Sequence, residues 1–564
     1  MSSAMKIGQN AGRAGYAAYA VPETQQKALT QATVTSLGQM DVAKAIDDLE
    51  MEYPTAYACS ESGLLHYRSH GPFGVLFPSP EPGPPTAPPP ALSQDISFND
   101  TTHRPAQKVG AAALERAPEL LRYFKQNAVP FSYAVRRTFT PCPWENVHLP
   151  AAERAYAQVL LHGTSTYAEL SLLYSALAIS CFEIVRTDKF PGHSCGSLGA
   201  QYKESARQHL ERAIQAEMVP HMRNKYKSLL MALLSMTLLE IKCAQYDDAE
   251  HLLLEAEYLI RTRGLSKPQK TLKVRILHHV YTYLRIMTES TCGCPMRNIH
   301  PVRPTSISSL GTAESQQTLR SFRLAKESTE SDIYMRIIKN DTVAHDDIHL
   351  EVPGQWRASL FPQLYGLPED LLALLSQVIR LANEQELMRR DTPIDGSTVA
   401  HLARSTKTLE HRILSWQPSQ QGQRDRTSSS PETGSVACVD SCLEGAFHQA
   451  IILLYYRRIQ NVNAMMLQDV VRRVLAYLSK ECGPHEAASL LWPAFLAACE
   501  AVDMAFQDEI RDWLRAMETQ TCLPTFGAVL DTAAKVWSLR EKRQDYTLSW
   551  FDATSTGRVP IVAI

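Results

Sequence analysis

Apolar residues recur at helical spacing through most of this chain, and this periodicity constrains its fold more than any other feature. Side chains three and four residues apart share one face of a helix, whereas a half-buried strand needs strict alternation. Residues 165–185 are apolar almost all round, which is typical of a helix at the centre of a bundle. No stretch alternates for long enough to predict a sheet. The sequence therefore predicts an all-α fold, an irregular multi-helix array of packed helix pairs.

Proline and helical periodicity together divide the chain. Residues 78–90 contain eight prolines in thirteen positions, and proline fixes φ and removes a backbone donor, so this stretch is predicted to be an extended linker. Paired helices between 165 and 262 resemble tetratricopeptide hairpins, but no period of roughly 34 residues recurs. The predicted organisation is a disordered N-terminus (1–44), a poorly structured segment (45–108), a first helical half (109–290), a loop-rich connection (291–367) and a second helical half (368–564) with a disordered loop (417–435).

Charge and composition exclude some classes of partner. The 57 basic and 59 acidic residues nearly cancel, so the chain as a whole has no electrostatic reason to bind nucleic acid or a membrane surface tightly. The longest apolar stretch, 229–241, is shorter than the about 20 residues that span a bilayer. Several of the 12 cysteines, including Cys181 and Cys499, lie in apolar helical patterns, and no signal peptide opens the sequence. A reducing intracellular compartment is expected.

The sequence GHSCG (192–196) is a literal Gly-x-Ser-x-Gly motif with Ser194 at its centre. A nucleophile elbow needs a buried strand that feeds the turn, so that the serine stands above a sheet. The preceding residues, TDKFP, are polar and end in Pro191 after a helical pattern. A helix–helix loop is therefore favoured, and a serine hydrolase at Ser194 stays only a remote alternative.

Candidate metal ligands lack the spacing that a metal requires. HEAAS (485–489) has Ser489 where a zinc protease needs its second histidine. The pair Cys292 and Cys294 and the pair Cys438 and Cys442 both lack the two-residue spacer usual in zinc sites. No metal ligand and no catalytic residue is predicted.

The stretch LHHVYTYLRIMTEST (277–291) is the most unusual segment. His278 and His279 are adjacent, so on a helix they point in different directions and do not share a metal easily. A core stripe is predicted at helical spacing, and Arg285 and Glu289 are predicted to pair one turn apart. The stripe consists of Ile276, Val280, Tyr283, Leu284 and Met287.

Six blocks of this sequence are informative as an ordered set. They are GPFGVLF (71–77), ELLRYFKQNAVPFSYAVRRTFTPCPWENVHLP (119–150), RTRGLSKPQKTLKVRILHHVYTYLRIMTEST (261–291), GAFHQAIILLYYRRIQNV (445–462), LLWPAFLAACEA (490–501) and VWSLREKRQDYTLSWFDATSTGRVPIVAI (536–564). In this order they resemble the fungal-specific regulatory region of zinc-cluster transcription factors, and the nearest type is that of arginine metabolism regulators. The resemblance extends over residues 45–564.

Members of that family carry an N-terminal zinc cluster of six cysteines, with two Cys-x2-Cys pairs and flanking basic residues that read DNA. This sequence has no cysteine before Cys59, no Cys-x2-Cys pair, and four basic residues in 1–44. The polypeptide is therefore expected to lack its own DNA-binding cluster, and to contact DNA indirectly or through a segment that it does not contain. No cofactor is expected, and zinc only if such a cluster exists.

The resemblance implies a regulatory region that receives signals and passes them to the transcription machinery or to co-regulator proteins. It also implies the nucleus, with the cytoplasm as the alternative compartment. Homo- or heterodimerisation and a small-molecule effector are further expectations, and catalysis is not expected. The alternative from another class is a helical protein–protein scaffold, or a competitor of intact regulators.

Overall fold

The computed structural model describes a large part of the chain, and the statements below concern that part. The described residues are 106–108, 114–128, 142–186, 195–217, 219, 222–266, 270–291, 322, 324, 338–352, 354–389, 396–417, 433–480, 488–521 and 523–553. The predicted disordered N-terminus (1–44) and proline-rich linker (78–90) lie outside these residues.

The first half of the described chain consists of helices whose apolar spacing is visible in the sequence. Pro118 lies in the first turn of α1, where a missing amide hydrogen costs nothing, so it begins this helix. The helices are α1 (Ala117–Tyr123), α2 (Leu149–His162), α3 (Tyr167–Arg186), α4 (Cys195–Ala216), α5 (Tyr226–Lys242), α6 (Tyr246–Leu259) and α7 (Leu272–Thr291), with π-helical turns at Phe124–Ala128, Trp144–His148 and Ile260–Gly264.

The second half continues with helices after a connecting segment. The helices are α8 (Asp341–Asp346), α9 (Phe361–Tyr365), α10 (Glu369–Met388), α11 (Gly396–Ser415), α12 (Thr433–Arg458), α13 (Gln468–Leu478), α14 (Leu491–Glu500), α15 (Met504–Thr521), α16 (Thr525–Arg543) and α17 (Trp550–Ala553), with a 3-10 turn at Ala464–Leu467. The all-α prediction is confirmed.

One small sheet accompanies the helices. Strand β1 (Ala106–Lys108) pairs antiparallel with β2 (Thr164–Thr166), so that Ala106 lies opposite Thr166. No sheet was predicted here, because three residues are too few to establish an alternating pattern. The end of the segment 45–108, predicted to be poorly structured, therefore contributes a strand.

Helix α7 is where the two halves of the described chain meet. It packs against α5 and α6 of the first half and against α10 of the second. The predicted stripe of five apolar side chains is buried, which confirms that face as core. The polar side chains of the other faces are buried as well, including those of His278, Arg285 and Glu289. Helix α7 is therefore enclosed on all sides, which its amphipathic sequence does not reveal.

Helix α3 is long and apolar enough to cross a membrane by length and composition alone. Its most apolar window is 83% buried inside the array, where it packs against α1, α2, α4 and α5. This burial is what a central helix of a bundle shows, as the all-round apolar pattern of 165–185 predicts.

Two helix starts differ from the sequence pattern. Helix α4 begins at Cys195, earlier than the amphipathic stretch from 202 indicates. Gly199 lies within this first part, and a Cβ there would be 3.0 Å from Cys181 Cβ and 3.1 Å from Phe182. A glycine lowers helix propensity but allows this close packing on α3. Helix α12 begins at Thr433, two residues before the predicted end of the loop 417–435.

Candidate functional site

His278 is held by a tyrosine of the neighbouring helix α5. Its Nε2 atom is 2.7 Å from the hydroxyl oxygen of Tyr226 on α5, and both side chains are buried. Gly264 makes room for this pair, since a Cβ at this position would be 2.2 Å from the Tyr226 hydroxyl and 3.1 Å from His278 Nε2. Burial lowers the pKa of His278 to about 3, so its ring is neutral.

His279 connects α7 to the segment before α9. Its Nδ1 atom donates to the carbonyl of Arg275 at 2.8 Å, and its Nε2 atom accepts from the Leu360 amide at 3.1 Å. The ring also contacts Phe361, with 4.4 Å between centroids. Burial lowers the pKa of His279 to about 3. Both ring nitrogens are used in holding the chain, and the hydrogen-bonding partners described for His279 differ from that of His278.

A buried ion network surrounds the other end of α7. Its centre is Glu257 of α6, which accepts a hydrogen bond from the Tyr281 hydroxyl at 2.8 Å. His349 Nε2 lies 3.1 Å from the same carboxylate oxygen, and Arg285 Nε lies 4.0 Å from it. Arg261 donates to the second oxygen of Glu257 at 2.8 Å. These contacts join α6, α7 and the connecting segment.

The network continues to α10 through an aromatic ring. Arg380 of α10 donates to Glu351 at 2.8 Å, and its guanidinium lies 4.1 Å from the ring centroid of Phe322. Arg285 lies 5.6 Å from the same centroid and pairs with Glu289 at 3.0 Å, as its spacing predicts. We name the set Glu257, Tyr281, Arg285, Glu289, Phe322, His349, Glu351 and Arg380 the α7 network.

Electrostatics fix the charge states of these carboxyl groups. Burial raises the pKa of Glu257, but the charges of His349, Arg285 and Arg261 outweigh burial and hold this pKa well below its usual range. Burial also raises the pKa of Glu351, yet its hydrogen bond with His349 and the charge of Arg380 lower it to about 2. The pKa of Glu289 is raised by burial, which Arg285 only partly offsets. Glu257 and Glu351 are therefore held as carboxylates by the cationic groups around them, whereas burial of Glu289 favours its neutral form.

A second buried ion cluster closes the end of the second half. Glu500 of α14 pairs with Arg457 of α12 and with Arg540 of α16, each at 2.7 Å. Arg540 also donates to the Cys499 carbonyl at 2.7 Å and to the Leu548 carbonyl at 2.8 Å. The cluster joins three helices to the chain that follows α16. Its member from the block 536–564 is Arg540.

A surface groove of about 450 Å³ opens between α3, α4 and the end of α5. Buried Glu240 holds Lys203 and Arg207 beside it, and buried Glu183 holds Lys242 and Arg186. The groove is lined by Phe182, Arg186, Ala200, Lys203, Glu204, Arg207 and Cys243. Its walls therefore combine an apolar floor with cationic side chains held in place by carboxylates.

The other residues that the sequence raised do not gather into a site within the described chain. Ser194, His485, Cys292 and Cys294 lie outside the described residues. The element that precedes Ser194 in the described chain is helix α3, and a nucleophile elbow would need a strand there. Cys438 and Cys442 both lie within α12. No group of three or more metal-ligating side chains occurs among the described residues.

The sequence did not identify most members of the α7 network. Tyr281, Arg285 and Glu289 follow one another at one-turn spacing on α7, whereas Glu257, His349 and Arg380 are far from them in sequence. The signal that the sequence offers for a buried ion pair is a single charged residue within an apolar pattern, as at Arg285. Its partners come from other elements, so periodicity within one helix does not identify them.

Residues 119–561 match the family model of the fungal specific transcription factor domain. The matched range covers most of the chain and coincides with the helical array described above. The chain therefore belongs to this family of fungal transcription factor domains.

A curated relative is Arginine metabolism regulation protein II of Saccharomyces cerevisiae, which is 21% identical over 468 residues. The alignment covers 72% of this chain and 51% of the relative, so the chain spans about half the length of the protein it matches. No solved structure matches the chain.

Proposed function

We propose that the chain is the regulatory region of a fungal transcriptional regulator and acts in the nucleus. The observation that carries this proposal is the family match, which extends over 119–561 and includes both helical halves. The region receives a signal and passes it to the transcription machinery or to co-regulator proteins. The name of the relative concerns arginine metabolism, and we extend to this chain only the regulatory role.

Contact with DNA is indirect in this proposal and is made through partner proteins. The near-balanced charge of the chain supports this, since direct binding of duplex DNA rests on neutralising phosphates with basic residues. The groove between α3, α4 and α5 is a second means of control. Its combination of apolar and cationic lining residues is the feature from which we propose a small effector here.

The test is a tethered reporter assay in a fungal cell. The full chain is fused to a heterologous DNA-binding domain, and reporter transcription is compared with that of the DNA-binding domain alone at matched protein abundance. We expect the fusion to raise or lower transcription. Unchanged transcription from a stable fusion would instead favour a scaffold or competitor that never acts at a promoter.

A further inference from the structure

Three methionines are exposed together in the second half of the described chain. Met465 and Met466 lie in the 3-10 turn before α13 with exposed fractions of 56% and 76%, and Met504 begins α15 with 75%. Of the large apolar side chains in the described residues, only Leu161 is more exposed than Met466 and Met504. Apolar side chains this exposed are candidates for an interaction surface where the backbone brings them together.

One glutamine places these methionines on the same surface. The side-chain amide of Gln468 donates to the Ala464 carbonyl at 2.7 Å and to the Glu500 carbonyl at 2.9 Å. Its carbonyl oxygen accepts from the Val502 amide at 3.0 Å. The backbone before Met465 and the backbone before Met504 are therefore joined through a single side chain. We name Met465, Met466 and Met504 the methionine surface.

The backbone beneath the methionine surface is fixed by side-chain caps. Asn463 accepts from the Met465 amide at 2.9 Å, and Asp503 accepts from the Ala505 amide at 2.9 Å. The Ala464 amide donates to the Tyr546 carbonyl at 3.1 Å. Exposure here is thus a property of an ordered backbone. Unbranched thioether side chains on such a support adapt to different apolar partners.

The charges beside the methionine surface select the kind of partner. From Asp503 to Asp512 the exposed residues include four carboxylates, and Arg511 is the one cation in this range. Arg511 pairs with Asp508 one turn away, a surface pair of the kind that contributes little to stability. On the α13 side the exposed charges include Arg472 and Arg473, so the acidic flank lies on the α15 side alone. An acidic flank on one side of an apolar surface is complementary to an apolar partner with basic residues along that side.

We infer that the methionine surface binds an amphipathic helix of a partner protein, with an apolar face on the methionines and lysine or arginine towards α15. Helix docking onto an apolar surface rich in methionine is a general mode of peptide recognition. This inference deepens the proposed function and rests on it, because it assigns the surface through which the regulatory region contacts another protein.

A binding experiment with a defined probe tests the inference. The full chain is titrated into a fluorescein-labelled synthetic helix with leucine on one face and lysine on the other, and anisotropy is measured. A second peptide has the same leucines and glutamate in place of lysine. We expect the lysine peptide to bind more tightly, because like charges on the glutamate peptide meet the carboxylates of α15.

Substitutions locate the site of binding. We expect a triple variant to weaken binding of the lysine peptide about ten-fold or more, as loss of a central apolar contact does. It combines Met465→Gln, Met466→Gln and Met504→Gln. The matched control combines Leu160→Gln, Leu161→Gln and Val399→Gln, which are exposed elsewhere, and should leave binding unchanged. NMR spectra of the methionine methyl groups, assigned with the three single variants, should show changes in the chemical shifts of Met465, Met466 and Met504 when the lysine peptide is added.

Three results would overturn the inference. They are equal binding by the methionine variant, equal binding of both peptides, and a sedimentation mass of two chains for the wild type that the methionine variant reduces to the mass of one chain. The tethered reporter separates this failure from failure of the proposed function. If the wild-type fusion alters transcription and the methionine variant alters it equally, the region regulates but does so through another surface.

Discussion

At the scale of single residues, the two histidines of α7 act as structural links between elements. His278 meets Tyr226 of α5, and His279 meets the backbone of Leu360. The sequence predicted that neighbouring histidines on a helix diverge, and the structure confirms this. It did not predict their partners, because Tyr226 and Leu360 are distant in sequence and no local pattern identifies them.

The contact between His278 and Tyr226 requires a residue without a side chain at position 264. Gly264→Ala is expected to destabilise the protein by about 1–3 kcal/mol, the range for forcing extra volume into a packed core. The added Cβ would meet the Tyr226 hydroxyl, which is buried and held by His278 and so does not move aside. Urea denaturation measures the change. Gly396→Ala is the control, since nothing lies within 4 Å of its Cβ, and an equal loss in both variants would contradict this explanation.

Buried histidines make the stability of the protein depend on pH. Burial lowers the pKa of His148, His278 and His279 to about 3 and that of His209 to about 4, from an ordinary value of 6.5. Below pH 6.5 the unfolded chain therefore binds protons that the folded chain does not, so stability falls as the pH is lowered. Each such histidine contributes a slope of up to about 1.4 kcal/mol per pH unit.

Urea denaturation from about pH 7.5 to about pH 5 measures this dependence. His278→Gln should reduce the slope by about one histidine's contribution, because glutamine does not titrate in this range. The control is Gln201→Ala on the exposed face of α4, which changes no titratable group and should leave the slope as it is in the wild-type chain. A stability that is constant across this range would contradict neutral buried histidines.

At the scale of elements, apolar spacing predicts the central helices well and their ends less well. Helix α3 follows the predicted stretch 165–185 closely, since burial of an apolar face dominates its formation. The start of α4 was missed because glycines disguise a segment that packs closely on α3. The buried polar faces of α7 were also missed, because their burial depends on partners from α6, α10 and the segment between 338 and 352.

The α7 network predicts a large effect from one substitution. Arg285→Met should destabilise the protein by about 3–5 kcal/mol, because Glu257 and Glu289 would stay buried without this cation. Arg389→Met is the matched control, since Arg389 forms an exposed pair with Glu386, and its effect should be within about 0.5 kcal/mol. Urea denaturation compares the two variants. Equal stabilities would show that the network contributes little to folding.

At the scale of the whole molecule, α7 makes one helical array from two halves. Its contacts with α5, α6 and α10, together with the hydrogen bond from Trp492 to Ser290, connect segments separated by about half of the chain. The fungal specific transcription factor domain extends over both halves. We therefore expect regulation to depend on the folded array as a unit.

The most direct measurement is reporter transcription from the tethered full chain with and without Arg285→Met, at matched protein abundance. The wild-type fusion should change transcription relative to the DNA-binding domain alone, and Arg285→Met should return it to that reference. Limited proteolysis shows whether the variant has lost the helical array. If the array is lost and transcription still matches that of the wild-type fusion, the folded helical region is not what regulates.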